Sequence, residues 1–344
     1  MFRLAPALRS LGLLLIVLCT RNASAQSVFP GDEWQTAAPA SQGMDAAGLE
    51  KAKAWLESHN SKSGVVIRHG RIVAEWYFGD ANAKSKFAAY STSKSLSSMA
   101  IGLAIADGKL ALDHTVGKYL PDATPDGKKA VTVKHLLSMT SGVQNDPGIV
   151  QKEDLFSFAT KTATMVNQPG EKWDYNNTGL ALLSPIFHKA TGQQIDEFLN
   201  ERVFRPIGIR SDDLTWERRE GLAIPYSGCH TTAQSLGRIG LMVLHHGKWN
   251  DQQIVPAAWL SESIAPSQEL NKAYGYLWWN NSTMRWPKVP QDAYAALGRW
   301  DNNIFIAPSL DLVVIRQSDL EPAKGHQIAE YYQLVCDAVT ADRK

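Results

Sequence analysis

Ser91 and Lys94 form the only Ser-x-x-Lys pattern in the chain, and residues 95–104 that follow have the composition of a helix. Residues three apart share a helix face, so the Ser91 hydroxyl and the Lys94 amine can meet. A serine deprotonated by a neutral lysine is a nucleophile for acyl transfer, and the first helical turn favours a developing anion. The lysine is neutral only where a water-poor cleft beside another cation lowers its pKa. The alternative is an ordinary Ser- and Lys-rich helix start.

Tyr175 and Asn177 form a second pattern, the only Tyr-x-Asn in the chain, between the Pro169-Gly170 turn and a helix predicted to start near Thr178. A loop would therefore present the phenol. A tyrosine near a lysine can have a lowered pKa and can pass protons to a leaving group. The alternative is that Asn177 or Thr178 caps the helix while Tyr175 packs in the core.

Apolar periodicity and turn signals predict the elements that position these residues. A helix is predicted over 45–59, and a hairpin over 64–68 and 71–77 around His69-Gly70. Short helices predominate from Ser91 to about Ser267, among them 133–138, 180–190 and 233–246. Strands return over 273–280, 293–299, 303–307 and 312–316, before a last helix over 327–339. This order predicts an α+β fold, in which an antiparallel sheet built from both chain ends is flanked by helices and carries an all-helical insert.

The N-terminus has the pattern of an export signal, with Arg3 and Arg9 before an apolar stretch over 11–19 and a small-residue site at Ala23-Ser24-Ala25. We expect cleavage after Ala25, which places the mature chain 26–344 in the periplasm or outside the cell. The alternative is lipid attachment at Cys19. No later segment is apolar enough for a membrane helix, so no membrane contact is expected after cleavage.

Removal of residues 1–25 would leave 32 basic and 34 acidic residues. This balance, without a basic stripe, argues against nucleic acid as a partner. Cys229 and Cys336 would remain; export permits a disulfide between them, and two separate buried thiols are the favoured interpretation. No metal-binding pattern is present, because the side chains of His245-His246 diverge, and no motif calls for a cofactor.

Together these patterns resemble the serine β-lactamase-related family. Its members include class C β-lactamases, D-alanyl-D-alanine carboxypeptidases, family VIII carboxylesterases and 6-aminohexanoate-dimer hydrolases. The resemblance runs from about Gln42 to the last helix and is carried by residues 65–77, 90–121, 135–142, 173–192, 231–259 and 274–279. It implies a β-lactamase/transpeptidase-like fold in one catalytic domain over 26–344. An α/β lobe would span about 26–88 plus 269–344, and a helical lobe about 89–268.

The resemblance also implies catalytic roles. Ser91 would be the acylated nucleophile and Lys94 its base. Tyr175 would protonate the leaving group and help to activate the deacylating water, and Asn177 would bind Lys94 or the substrate's amide. Either Lys94 or Tyr175 could take the first proton, so the two are treated as a coupled pair.

At the third family motif the chain departs from the pattern. Lactamase-type members have Lys-Thr-Gly or His-x-Gly on the strand beside the site, and amidase- or esterase-like members often have Ala-x-Gly-x-x-Gly-Gln. This chain has Ala-Leu-Gly-Arg-Trp-Asp-Asn over 296–302. Gly298 allows close backbone approach, and the Arg299 N–H would join the Ser91 N–H in an oxyanion hole. Asp301 and Asn302 are expected to crowd the strand's exit and add negative charge, which Arg299 would offset unless it binds an acidic substrate.

Trp279, Trp286 and Trp300 fall in or beside strands expected to line the cleft. They would either form a hydrophobic acyl or ring pocket or fill the core. No Gly-x-Ser-x-Gly elbow is present, which argues against an α/β-hydrolase. The predicted function is a secreted serine hydrolase for small esters or linear amides. The alternatives are a β-lactamase or D-alanyl-D-alanine carboxypeptidase, and a non-catalytic penicillin-recognising binding or sensor protein.

Overall fold

The computed structural model describes Met1, residues 28–323, Gly325 and residues 327–340. The predicted cleavage site after Ala25 and the alternative lipid attachment at Cys19 lie outside the described residues, so both stay predictions. In the described part of the chain, no helix is long and apolar enough to span a membrane.

Most helices and strands of the protein are short, and the longest helices span Ala46–Ser58, Thr92–Ala106 and Ala233–Leu244. The α-helices are α1 (Ala46–Ser58), α2 (Thr92–Ala106), α3 (Val116–Tyr119), α4 (Val133–Leu137), α5 (Leu155–Ser157), α6 (Asn177–Ala181), α7 (Leu183–Thr191), α8 (Ile195–Leu199), α9 (Ala233–Leu244), α10 (Ala257–Ile264) and α11 (Ile328–Asp337). The strands are β1 (Ser63–Arg68), β2 (Arg71–Tyr77), β3 (Phe87–Ala88), β4 (Leu214–Trp216), β5 (Arg218–Arg219), β6 (Leu222–Ala223), β7 (Cys229–Thr231), β8 (Lys248–Trp249), β9 (Gln252–Gln253), β10 (Trp279–Asn280), β11 (Tyr294–Gly298), β12 (Asn302–Ala307) and β13 (Leu312–Gln317).

The main sheet joins the two ends of the chain, as predicted. Its strand order is β10-β11-β12-β13-β1-β2, and every pair is antiparallel. Val65 lies opposite Ile315 in the β1–β13 pair, so a hairpin formed early in the chain is completed by one formed more than two hundred residues later. The α+β prediction with a sheet built from both termini is confirmed.

Each face of the main sheet is covered by helices. Neighbouring strand residues point to opposite faces; accordingly Val65 packs in the core with α2 and α9, and Val66 packs in the core with α1 and α11. The two cysteines follow this division, with Cys229 buried in the first core and Cys336 in the second. This location agrees with the expectation of two separate buried thiols.

Two sequence predictions need correction. The insert between the sheet halves is not all-helical, because β3, β7 and β4 form a small sheet, and β5–β6 and β8–β9 form hairpins. The strand expected over 273–280 shrinks to β10, preceded only by an isolated bridge between Tyr274 and Trp279. Gly275 and the left-handed Leu277 (φ 67°) lie between these residues, and their backbone turns where a strand would run straight. The proposed lobe boundaries stay predictions.

α2 is buried from Thr92 to Ala104 although it contains several serines, so their hydroxyls need hydrogen-bond partners inside the protein. Ser95 donates to Leu277 O at 2.6 Å and Ser97 to Pro225 O at 2.7 Å. Each hydroxyl thereby satisfies both itself and a carbonyl of a neighbouring loop, as buried polar groups must. α2 is therefore held from several sides, and its first turn has a fixed place in the fold.

Candidate active site

Ser91 lies at the sharp bend that leads into α2. Tyr90 has a left-handed backbone (φ 47°), and Ser91 (φ −65°, ψ −9°) immediately precedes the helix. The Lys94 N–H donates to Ser91 O at 3.0 Å and closes the first turn. The Ser91 side chain makes no capping hydrogen bond, and Lys94 Nζ lies 2.8 Å from its Oγ. The structure thus brings together the two groups that the Ser-x-x-Lys spacing predicts to meet.

Lys94 is almost fully buried, at 1% exposure. Its Nζ also donates to Tyr226 O at 3.2 Å and lies near the faces of two aromatic rings, 4.8 Å from the Tyr175 centroid and 5.6 Å from that of Tyr226. Burial lowers the pKa of Lys94 well below its ordinary value of 10.5. Desolvation is the cause of this shift, not a neighbouring cation as predicted from the sequence.

Tyr175 lies on the loop before α6, where its ring packs between side chains of the insert and the sheet edge. It stacks on Trp279 with centroids 6.1 Å apart and planes at 23°, and Asn145 Nδ2 donates to Tyr175 O at 3.0 Å. Burial raises the pKa of Tyr175 to about 12, although a hydrogen bond with Ser91 acts in the opposite direction. The sequence expectation of a lowered tyrosine pKa is therefore wrong, because desolvation outweighs the hydrogen bond with Ser91.

Asn177 is the first residue of α6, and its neighbour Asn176 is the cap. Asn176 Oδ1 accepts from Gly179 N at 2.8 Å, so the suggestion that Asn177 or Thr178 caps this helix is wrong by one or two residues. The hydrogen bonds of Lys94 go to Ser91 and Tyr226, not to Asn177. The buried Asn177 Oδ1 has no hydrogen-bond partner among the described residues.

Gly298 ends β11 directly beside the bend that carries Ser91. A Cβ at this position would lie 2.3 Å from Ala89 O and 2.8 Å from Asn302 O, distances that no side chain tolerates. The close approach expected of Gly298 is thus present. Thr92 Oγ1 donates to Asn302 O at 2.7 Å, which joins the start of α2 to the start of β12.

The segment after Gly298 forms a tight turn over Arg299–Asp301. Arg299 is exposed, and its guanidinium lies 4.8 Å from the Trp300 ring. Trp300 meets Tyr90 edge to face with centroids 5.1 Å apart. The turn therefore lies against the residue that precedes Ser91.

Asp301 and Asn302 do not crowd the strand's exit as expected. Both are buried, and Asn302 Nδ2 donates to Arg299 O at 2.8 Å and to Ser318 O at 2.9 Å. The Asp301 carboxylate acts electrostatically on the buried Arg316. The negative charge expected at the cleft is instead placed beside an internal arginine.

The three tryptophans singled out in the sequence have different positions. Trp279 stacks on Tyr175, and Trp300 packs against Tyr90. Trp286 is a core residue that packs against Phe305 and Tyr332. The pocket interpretation thus applies to two of the three at most.

Sequence analysis missed Tyr226 and Asn145. Tyr226 supplies a carbonyl to Lys94, and Asn145 holds the backbone of Tyr175. Neither belongs to a short motif, and each reaches the site through a loop distant in sequence. Only tertiary structure reveals them.

A beta-lactamase family model matches residues 62–335. The chain belongs to the beta-lactamase family. The match covers both halves of the main sheet and the whole insert between them, so membership rests on the entire fold that surrounds Ser91. Family membership places the chain in a hydrolase family of this fold.

Known members of the family show what the chain is similar to. Esterase EstB of Burkholderia gladioli is 29% identical over 192 residues, which cover 47% of this chain and 49% of that protein. An uncharacterized protein of Alkalihalophilus pseudofirmus is 26% identical over 303 residues, 77% of this chain and 86% of that one. A Bacillus anthracis protein provisionally named a 6-aminohexanoate-dimer hydrolase superposes with a TM-score of 0.73 at 19% identity, covering 87% of this chain and 85% of that chain. This last likeness shows the fold.

Proposed function

We propose that the protein is a serine hydrolase that forms an acyl-enzyme on Ser91 and cleaves small esters or linear amides. The observation that carries this proposal is the 2.8 Å contact between Ser91 Oγ and the buried amine of Lys94. Burial lowers the pKa of Lys94 and so increases the fraction of the neutral amine, the form that can accept a proton as a general base must.

In the first step Lys94 accepts the proton of Ser91 as Oγ attacks the carbonyl carbon of the substrate. The carbonyl oxygen becomes an oxyanion, for which the backbone N–H groups of Ser91 and Arg299 are the proposed donors. One such donor typically lowers the activation barrier by about 3 kcal/mol. Gly298 has its role here, because only glycine lets β11 approach the Ser91 bend this closely.

In the second step Tyr175 donates its proton to the leaving group. A phenol with a pKa of about 12 is protonated at neutral pH, so Tyr175 begins the cycle as an acid. Lys94 begins it as the base. The charge of protonated Lys94, whose Nζ lies 4.8 Å from the Tyr175 ring centroid, favours release of the phenol proton to the leaving group. Lys94 then passes the proton that it took from Ser91 to the Tyr175 phenolate, which returns both side chains to their neutral forms. The same pair then activates the water that hydrolyses the acyl-enzyme.

The third motif favours esters and linear amides over β-lactams. Two residues before Gly298, where lactamase-type members have lysine, this chain has Ala296. The ammonium group expected to meet a β-lactam carboxylate is therefore missing from the motif. The similarity to Esterase EstB supports the same choice. We further propose that Asn177 accepts a hydrogen bond from the substrate's amide N–H.

We also propose that the chain is exported, with cleavage after Ala25.

A substrate panel tests this proposal. Purified protein is assayed with p-nitrophenyl butyrate, a linear dipeptide-like anilide and nitrocefin, alongside Ser91→Ala. We expect turnover of the ester or anilide, with an initial burst, weak or no turnover of nitrocefin, and no turnover by Ser91→Ala. Nitrocefin as the best substrate would favour the β-lactamase alternative, and equal activity of Ser91→Ala would refute an acyl-enzyme on Ser91.

A further inference from the structure

The turn after Gly298 has an unfavourable backbone. Trp300 and Asp301 are consecutive residues with left-handed conformations, at φ 57° and φ 60°. Side-chain-bearing residues adopt this region rarely, because Cβ approaches the following carbonyl. Such a turn persists only where surrounding contacts hold it.

Arg316 on β13 supplies those contacts from beneath the turn. It is fully buried, and its Nη1 donates to both Trp300 O and Asp301 O. These are the carbonyls of the two left-handed residues. A single guanidinium nitrogen therefore provides a hydrogen-bond donor for both of these backbone carbonyl oxygens.

The other end of the same guanidinium is anchored in the chain that follows α1. Nη2 donates to His59 O at 2.7 Å, and Nε donates to Ser61 Oγ at 2.9 Å. Because the guanidinium group is planar and rigid, these bonds fix the position of Nη1. The turn is thus tied to the sheet and to α1 through a single side chain.

We propose that Arg316 is a positioning residue that holds the 299–302 turn so that the Arg299 N–H points at the oxyanion beside Ser91. The proposal rests on the acyl-enzyme function above. The link to the nucleophile is short: Asn302 bonds to Arg299 O on one side and receives the Thr92 hydroxyl at its own carbonyl on the other. A turn released by loss of Arg316 would move the Arg299 N–H relative to Ser91.

This role explains how the chain tolerates Asp301 and Asn302, where similar hydrolases often have Gly-Gln. A glycine would adopt φ 60° without strain, whereas an aspartate there needs an external clamp. Arg316 is that clamp, and it also faces the buried Asp301 charge. The unusual third motif and the buried arginine therefore form one unit.

The test compares Arg316→Gln with a matched control, Arg238→Gln. Arg238 is also buried and donates to three backbone carbonyls, those of Gly31, Asp32 and Ile207, but at a place away from Ser91. Initial rates with p-nitrophenyl butyrate are measured at a temperature where melting curves show every variant to be folded. We expect Arg316→Gln to lower kcat roughly tenfold to hundredfold, with KM within about twofold, since the hole acts in the transition state. Arg238→Gln should retain kcat within about twofold of the wild type.

A rescue variant separates positioning from general stability. Asp301→Gly added to Arg316→Gln removes the backbone strain at one of the two left-handed residues, so kcat should recover in part, by at least about threefold. Equal kcat losses in the two arginine variants, or no recovery with glycine, would overturn the proposal. If Arg316→Gln does not fold, Arg316→Lys keeps the charge but lacks the planar fork, and a wild-type kcat in that variant would overturn it as well. Wild-type protein inactive on every ester and every linear amide would instead refute the underlying function.

Discussion

Lys94 Nζ lies over the ring of Tyr175, 4.8 Å from its centroid. Burial acts on both side chains and drives their proton affinities in opposite directions, since it disfavours the ammonium of one and the phenolate of the other. The charged form of each side chain is therefore disfavoured in this pair. This pairing supports the proposal that Lys94 is the base and Tyr175 the acid, a choice that the sequence left open.

Tyr175→Phe should impair amide cleavage more than ester cleavage. The ring and its stacking on Trp279 remain, and only the proton donor is lost. The amine of an anilide leaves as a strong base and needs that proton, whereas p-nitrophenolate does not. We therefore expect kcat/KM, which reports acylation, to fall roughly hundredfold for an anilide and less than about tenfold for p-nitrophenyl butyrate.

Tyr274→Phe is the matched control for that experiment. Tyr274 is a buried tyrosine whose ring lies 6.1 Å from that of Tyr175, and its hydroxyl has no proposed part in the reaction. Its two rates should change little. Equal losses on both substrates in Tyr175→Phe would count against the acid role.

The pH dependence of stability should reveal the neutral amine. The pKa of Lys94 is depressed in the folded protein, so the unfolded chain binds more protons between that folded value and 10.5. Stability from this group therefore increases with pH across the window, by up to about 1.4 kcal/mol per pH unit. Lys94→Met removes this titrating group, whose burial destabilises the wild type more at pH 7 than at pH 10. The melting temperature of Lys94→Met minus that of the wild type should therefore be larger at pH 7 than at pH 10.

The same group should control the rate. We expect kcat/KM for p-nitrophenyl butyrate to rise with pH as Lys94 loses its proton, with an inflection below 10.5. A kcat/KM that falls as the pH rises toward 10.5 would contradict a lysine base. A melting difference between Lys94→Met and wild type that is the same at both pH values would also contradict it.

Local sequence signals predicted much of this architecture. Asp45 caps α1, Thr132 caps α4, and Gly192 ends α7 in a left-handed conformation. These elements form where they do because the deciding interactions lie within a few residues. The Ser91–Lys94 contact belongs to the same class, since one helical turn joins the two residues.

Long-range effects were beyond the sequence. Whether Tyr175 would gain or lose acidity depended on its burial under Trp279, a residue about one hundred positions away. Asp301 was expected to face the cleft, and only the buried Arg316 shows why it faces inward. In both cases a desolvation or charge effect from distant residues decides the outcome.

Gly298→Ala should damage both stability and catalysis. The added Cβ would meet backbone oxygens of Ala89 and Asn302, which cannot rotate away, so β11 must move from the start of α2. We expect a loss of about 1–3 kcal/mol in the free energy of unfolding and roughly a hundredfold lower kcat, measured by denaturant titration and ester hydrolysis.

Gly31→Ala provides the comparison, because no atom of the described residues lies within 4 Å of the Cβ that it would add and its φ is not left-handed. Its stability and kcat should match the wild type. A Gly298→Ala protein that behaves like Gly31→Ala would show that the close approach is dispensable.

Covalent labelling tests the acyl-enzyme most directly. Wild-type protein, Ser91→Ala and Lys94→Met are incubated with a fluorophosphonate, and the site of the adduct is mapped by peptide mass spectrometry. We predict one adduct on the wild type, located at Ser91, with none on Ser91→Ala and much slower labelling of Lys94→Met. An adduct at another residue, or labelling of Ser91→Ala at the wild-type rate, would contradict Ser91 as the nucleophile.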